Sequence, residues 1–264
     1  MLIVADVHAA SEALARVASR GETLLILGDL VNLIDYRTGE GIVADVVGLD
    51  TVTAIATLRE QNRFDEASAV WSTRVAGIED RVRNDVGVAM ASQYEQVAEA
   101  LGGVDAYVTY GNVDRPDMLE ASLPPSSRYV DADVVDIEGW SVGFVGGGVP
   151  KLGTDGEVTP SVMADKLSRL GPVDVLCSHV PPAIEPLARD VVGRGLKGSV
   201  EILEYIDEFQ PAFHFFGDIH QPQALQWRRG VTVCRNVGYF RATGRPFPFP
   251  AKYGKDRPSL PEGP

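Results

Sequence analysis

Short apolar runs punctuate the chain: "LIVAD", "TLLILGD", "DAYVTYGN", "WSVGFVGGG", "VDVLCSH", "AFHFFGD" and "VTVCRN". Each is rich in Val, Ile, Leu or Phe and closes on polar residues or Gly, the signature of a buried strand. Between several of them the apolar positions follow helical spacing. "SEALARVASR" places Ser11 as an N-cap and Gly21 just past the end, and "SVMADKLSRL" opens at Ser161 after Pro160. Strand and helix alternation predicts one α/β domain over residues 1–240. Residues 36–104 break the rhythm with helical composition and no strand pattern, which predicts a helical insertion able to cap a site. Residues 241–264 are rich in proline and lack periodicity, which predicts an extended, partly mobile tail.

Composition narrows the class. With 264 residues, 45% of them hydrophobic and 23% charged, the chain can bury a full core in one large domain. No apolar stretch reaches membrane-span length and the N-terminus enters a strand at once, so the expectation is a cytoplasmic protein without a membrane partner. Cys177 and Cys234 each sit alone in an apolar run, as buried reduced thiols do. A net charge of −13 opposes a duplex nucleic-acid partner and leaves a small phosphorylated substrate, held by local charge or by a divalent cation. The pattern carries no signal for an oligomeric state.

Candidate chemistry lies at the ends of the runs. Five of them deliver Asp6 and His8, Gly28 and Asp29, Gly111 and Asn112, His179, and Asp218 with His220. In a mainly parallel sheet, residues just past the strand C-termini converge on one edge. Carboxylate, imidazole and amide donors in this number complete two divalent sites if one carboxylate bridges, a centre suited to gripping a phosphoryl oxygen and activating water. Phosphoester hydrolysis fits that chemistry.

The ordered set DxH, GD, GN, SH and a final xxH pair resembles the calcineurin-like metallophosphoesterases, with "FVGGGVP" and "SHVPP" as similar surroundings. The resemblance implies a four-layer α/β/β/α sandwich of two mixed sheets flanked by helices. It also implies two divalent ions, the first on Asp6, His8, Asp29 and His220, the second on Asp29, Asn112, His179 and Asp218. Asn112 and His179 would then take part in catalysis, with hydroxide held at the metals attacking phosphorus in line.

Two departures modify the expectation. "GDIH" puts Asp218 where the family usually has His, which adds a charge and a hard oxygen donor. That shifts metal preference toward Mn²⁺ or Mg²⁺ and away from Zn²⁺, while the histidines keep Fe open. "GNVD" puts Val113 where many members carry a proton-donating His, so Asp114 is the candidate substitute. Both departures also suit an alternative, a degenerate member of the family kept as a binding or scaffold module.

Other residues are read from their positions. Arg115, Lys151, Arg194 and Lys197 lie near motif loops, with Arg115 and Lys151 as the candidate substrate contacts. Gly147 and Gly148 either form a tight turn or line the phosphate pocket with their amides. His214 reads as a packed or supporting histidine, and Tyr36, Trp71 and Tyr94 as helix core before a stacking surface.

Overall fold

The computed structural model describes residues 1–35, 38–61, 63–192 and 195–249. Tyr36 and Arg194 therefore lie outside the described residues, as does the tail from 250 onward. In chain order the elements begin β1 (Leu2–Val4), α1 (Ser11–Ala18), β2 (Leu24–Leu27), α2 (Ile42–Val47), α3 (Leu49–Glu60), α4 (Phe64–Val75) and α5 (Glu79–Leu101). They continue β3 (Ala106–Thr109), α6 (Pro116–Ser122), β4 (Ser127–Tyr129), β5 (Asp133–Ile137), β6 (Trp140–Val145), α7 (Pro160–Leu170), β7 (Val175–Ser178) and α8 (Glu185–Ala188). The last are α9 (Val200–Phe209), β8 (Phe213–Phe216), β9 (Gln226–Arg229), β10 (Thr232–Asn236), α10 (Phe240–Thr243) and β11 (Phe247–Pro248).

The strands form two mixed sheets, ordered β11-β1-β2-β3-β4 and β5-β6-β7-β8-β10-β9. In the first, β1 to β4 run parallel and β11 antiparallel on the edge. The second has parallel β6, β7, β8 and β10 with an antiparallel strand at each edge. Alternating side chains explain the layers. Ile3, Leu25 and Leu27 face Phe144, Val175, Cys177, Phe213 and Phe215 in a core between the sheets. Their neighbours Leu2, Val4, Leu24 and Ile26 turn the other way, onto α1 and α5. The outer face of the second sheet packs Val145 and Leu176 against α7 and α9 through Met163, Leu167, Ile202 and Ile206. The result is an α/β/β/α sandwich.

The helical stretch between β2 and β3 holds α2 to α5. Along α5 the buried Val82, Val86, Met90, Tyr94, Val97 and Leu101 repeat every three or four residues and lay one apolar face on the first sheet. This long helix is a sandwich layer rather than a lid, and Trp71 on α4 packs against the same core.

Local signals differ from expectation in three places. Ser11 is the first helical residue and makes no capping bond, because Ala10 precedes it at the cap. On α7 the cap is Thr159, whose side chain accepts from the Val162 amide, with Pro160 in the first turn where its missing N–H costs nothing. Residues 241–249 are not an open tail: α10 and β11 occupy them, and Pro248 sits on a sheet edge, where proline is tolerated.

Candidate metal centre

Three of the motif strands, β1, β2 and β3, belong to the first sheet, while β7 and β8 belong to the second. Their C-terminal ends meet at one edge of the sandwich. Asp6, His8, Asp29 and Asp218 leave their strands with positive φ (59°, 41°, 54° and 62°). Left-handed backbone is uncommon for residues with a side chain and concentrates at functional sites. Close backbone packing brings the loops together. At Gly28, with φ +85°, a Cβ would lie 2.3 Å from the Gly111 amide, so the "GD" and "GN" loops touch only because no side chain intervenes.

The donors present themselves inward. His179 Nδ1 donates to the Leu27 carbonyl (2.8 Å), which turns Nε2 toward Asn112 Oδ1 (3.2 Å) and Asp29 Oδ1 (3.4 Å). His8 Nδ1 donates to the Val31 carbonyl (3.2 Å) and leaves Nε2 facing Asp29 Oδ2 (3.6 Å) and His220 Nε2 (3.2 Å). A backbone carbonyl on one ring nitrogen is the usual way a metal-binding histidine is oriented. His220 Nε2 also lies 3.7 Å from Asp6 Oδ1, and the Tyr239 ring stacks on the His220 ring at 3.9 Å between centroids.

Electrostatics follow the same layout. Burial pushes Asp6 up, but the His220 hydrogen bond and charge hold it below the usual carboxylate range. Burial likewise pushes Asp29 up, but the His179 charge and hydrogen bond, with the His8 charge, hold it well below that range. Burial would depress His179, yet the Asp29 carboxylate raises it to about 10. His8 falls, with burial the main cause.

A fit to divalent cations rests on two observations. Asp6 Oδ2 and Asp218 Oδ2 are buried without a hydrogen-bond partner, an arrangement costly unless something positive meets them. Donor atoms within 4.8 Å of one another form two groups among the described residues: Asp6, His8 and His220, and Asp6, Asp29 and His179. The first group, with Asp29 beside His8, suits one ion of mixed oxygen and nitrogen preference.

Asp218 departs from its expected place. It joins neither donor group; its Oδ1 accepts from the Lys197 ammonium at 2.8 Å, and its own amide donates to Asp6 Oδ1 at 3.0 Å. Asp114 departs further from the proton-donor role. Its Oδ1 accepts from the Leu30 amide and the Tyr94 hydroxyl, and its Oδ2 from the amides of Asp29 and Gly111. Burial and Asp29 push its carboxyl up to about 6, but no oxygen is free to face a substrate. It is a positioning residue that ties the "GD" and "GN" loops to α5.

Three of the candidate substrate contacts, Gly147, Gly148 and Arg115, have other partners. Gly147 donates its amide to the Tyr110 carbonyl and Gly148 to the Gly156 carbonyl, both at 2.9 Å, so neither is free for phosphate. Gly148 is small because a Cβ would come within 2.2 Å of Asn112 Cβ: the turn reading holds. The Arg115 guanidinium pairs with Asp155 at 3.0 Å, away from a substrate role. Lys151 lines a small cleft with Asn112, Leu152, Glu157, Lys197 and Asp218, and its ammonium donates to the Leu196 carbonyl at 2.7 Å.

His214 is buried in β8 and does not touch the donors. Ser178 Oγ donates to the Val180 carbonyl and therefore accepts from His214 Nε2 at 2.7 Å, which braces the loop carrying His179. Burial depresses His214 from 6.5 to about 3. Between those values the unfolded chain binds a proton that the folded chain refuses, so stability is full above 6.5 and falls as pH drops toward 3. On lowering pH from 7 to 5, the protein should lose about 2 kcal/mol more than its His214→Gln variant in urea unfolding. Equal losses would refute the assignment.

Sequence reasoning missed three contributors. Tyr239 stacks on His220; Arg241 donates from Nη1 to the His8 carbonyl at 2.7 Å; and the Phe240 and Arg241 amides donate to the Ala5 and Asp6 carbonyls. All follow β10, with Tyr239 and Phe240 at the end of the predicted domain and Arg241 at the start of the predicted tail.

The fold has solved counterparts. One crystal structure aligns with a TM-score of 0.57 at 15% identity, covering 90% of each chain. TT1561 of Thermus thermophilus aligns at 0.52 and 14% identity, covering 91% of this chain and 89% of that one. No family model and no curated protein matches the sequence. Among the described residues no helix is long and apolar enough to cross a membrane. The chain thus adopts a two-sheet α/β sandwich shared with these structures, with a buried Asp/His cluster compatible with a metal site.

Proposed function

We propose that the protein is a divalent-metal-dependent phosphoester hydrolase of the calcineurin-like kind, acting on a small phosphodiester or activated phosphomonoester, with Mn²⁺ as the preferred ion. The observation that carries this reading is the convergence of five strand ends, from two sheets, on inward-facing Asp6, His8, Asp29, Asn112, His179 and His220. A bound divalent ion there would supply Lewis acidity and lower the pKa of water.

The chain's own residues set the rest. Asn112 and Lys151 border the cleft beside the cluster, where an amide and an ammonium can hold a phosphoryl oxygen. Val113 cannot transfer a proton, and the saturated Asp114 carboxylate cannot do so in its place. The leaving group must therefore depart without help from this loop. Aryl esters should be hydrolysed at least about a hundredfold faster than alkyl esters of the same charge, because a missing general acid penalises poor leaving groups.

Mn²⁺-loaded protein assayed separately on phosphomonoesters, phosphodiesters and nucleotides tests the reading. Hydrolysis of an aryl phosphodiester is the expected result, and silence with Mn²⁺, Fe²⁺, Mg²⁺ and Zn²⁺ would sink it. The Lys197–Asp218 ion pair and Val113 favour a second reading, a binding module without turnover. Less than one bound divalent ion per chain after reconstitution would support that reading.

A further inference from the structure

We infer that the Lys197 ammonium stands in for a second cation at this centre, so that the protein at rest binds one divalent ion rather than two. The inference rests on the metal-dependent reading above and narrows it. Its basis is the 2.8 Å ion pair between Lys197 Nζ and Asp218 Oδ1, at the position from which a ligand to a second ion was expected.

Lys197 is placed there by the fold rather than by chance at the surface. Its amide donates to the Ala188 carbonyl, Arg189 bridges to Leu196, and the Ser199 amide donates to the Pro181 carbonyl, which ties its segment to the loop after His179. Gly198 makes that approach possible, since a Cβ would lie 2.9 Å from Ala183 Cα. The ammonium shares one cleft with Asn112 and Asp218, and its side chain is only 33% exposed.

Charge balance points the same way. Asp6, Asp29 and Asp218 are buried and carry three negative charges at the centre. One dication and one ammonium neutralise them; two dications with the ammonium leave two positive charges in a site closed to much of the solvent. With Lys197 removed, neither oxygen of the buried Asp218 carboxylate meets a cation, and the cleft it shares with Asn112 can take a second ion.

Full-length protein and its Lys197→Met and Lys197→Arg variants can be reconstituted with Mn²⁺, desalted, and analysed by elemental analysis and electron paramagnetic resonance. The parent and Lys197→Arg should hold about one Mn²⁺ per chain with the hyperfine pattern of an isolated ion, and Lys197→Met about two with an exchange-broadened spectrum. Two coupled ions in the parent, or a single ion in folded Lys197→Met, would overturn the inference and leave the hydrolase reading intact. A parent that binds no Mn²⁺ would overturn the inference, and the hydrolase reading with it if Fe²⁺, Mg²⁺ and Zn²⁺ are also refused.

Discussion

Asp29→Ala is expected to lower metal-dependent phosphoester hydrolysis by more than about a hundredfold, beyond the loss typical of removing an outer partner of a metal ligand. Asp29 faces both histidines flanking the centre: Oδ2 lies 3.6 Å from His8 Nε2 and Oδ1 lies 3.4 Å from His179 Nε2, with the Val113 amide donating to Oδ1 at 3.1 Å. Alanine removes the carboxylate that faces both imidazoles and leaves the Val113 amide, which sets the "GN" loop, without its acceptor. Metal content should fall with the activity while far-ultraviolet circular dichroism keeps its shape, since the core strands do not depend on this side chain. Hydrolysis within tenfold of the parent would show that the reacting groups lie elsewhere.

The second large effect concerns stability. Asp114→Ala should destabilise the fold by about 3–5 kcal/mol, because it strands buried donors that had one acceptor between them. Three amides and the Tyr94 hydroxyl lose their partner together. Asp114→Asn keeps one oxygen but turns an NH₂ toward two of those donors, so it should fall between parent and alanine. Urea unfolding reads the series. A catalytic Asp114 would behave differently: Asp114→Asn would unfold like the parent and slow alkyl esters selectively.

The strand ends were legible because buried parallel strands need continuous apolar runs, and polar residues closing such runs stand out. The assignment of runs to sheets was not legible. β4 and β5 carry exposed and half-buried positions, and β9 is exposed throughout, so edge strands lack the apolar density that marks the centre. "FVGGGVP" misled for a related reason: glycine marks close approach as well as open amides, and here the approach is to Asn112. The Asp in "GNVD" looked like chemistry because composition cannot show that four donors enclose it. Lys197 stood among several basic residues, and only the folded structure, in which Arg189 bridges to Leu196, selects it as the partner of Asp218.

The clamp that residues 240–248 place on the first strand bears on the order of folding. Arg241 holds the carbonyl of His8, a partner 233 residues earlier, and β11 pairs with β1 beside it. A ribosome-bound chain can therefore form its helices and much of both sheets before that clamp exists. Contacts of such sequence separation form late, after most loop-closure entropy has been overcome. A chain truncated before residue 240 should leave the Asp6–His8 loop unpinned, because the Phe240 and Arg241 amides no longer hold the Ala5 and Asp6 carbonyls, and should take up Mn²⁺ more weakly than the parent in a metal titration.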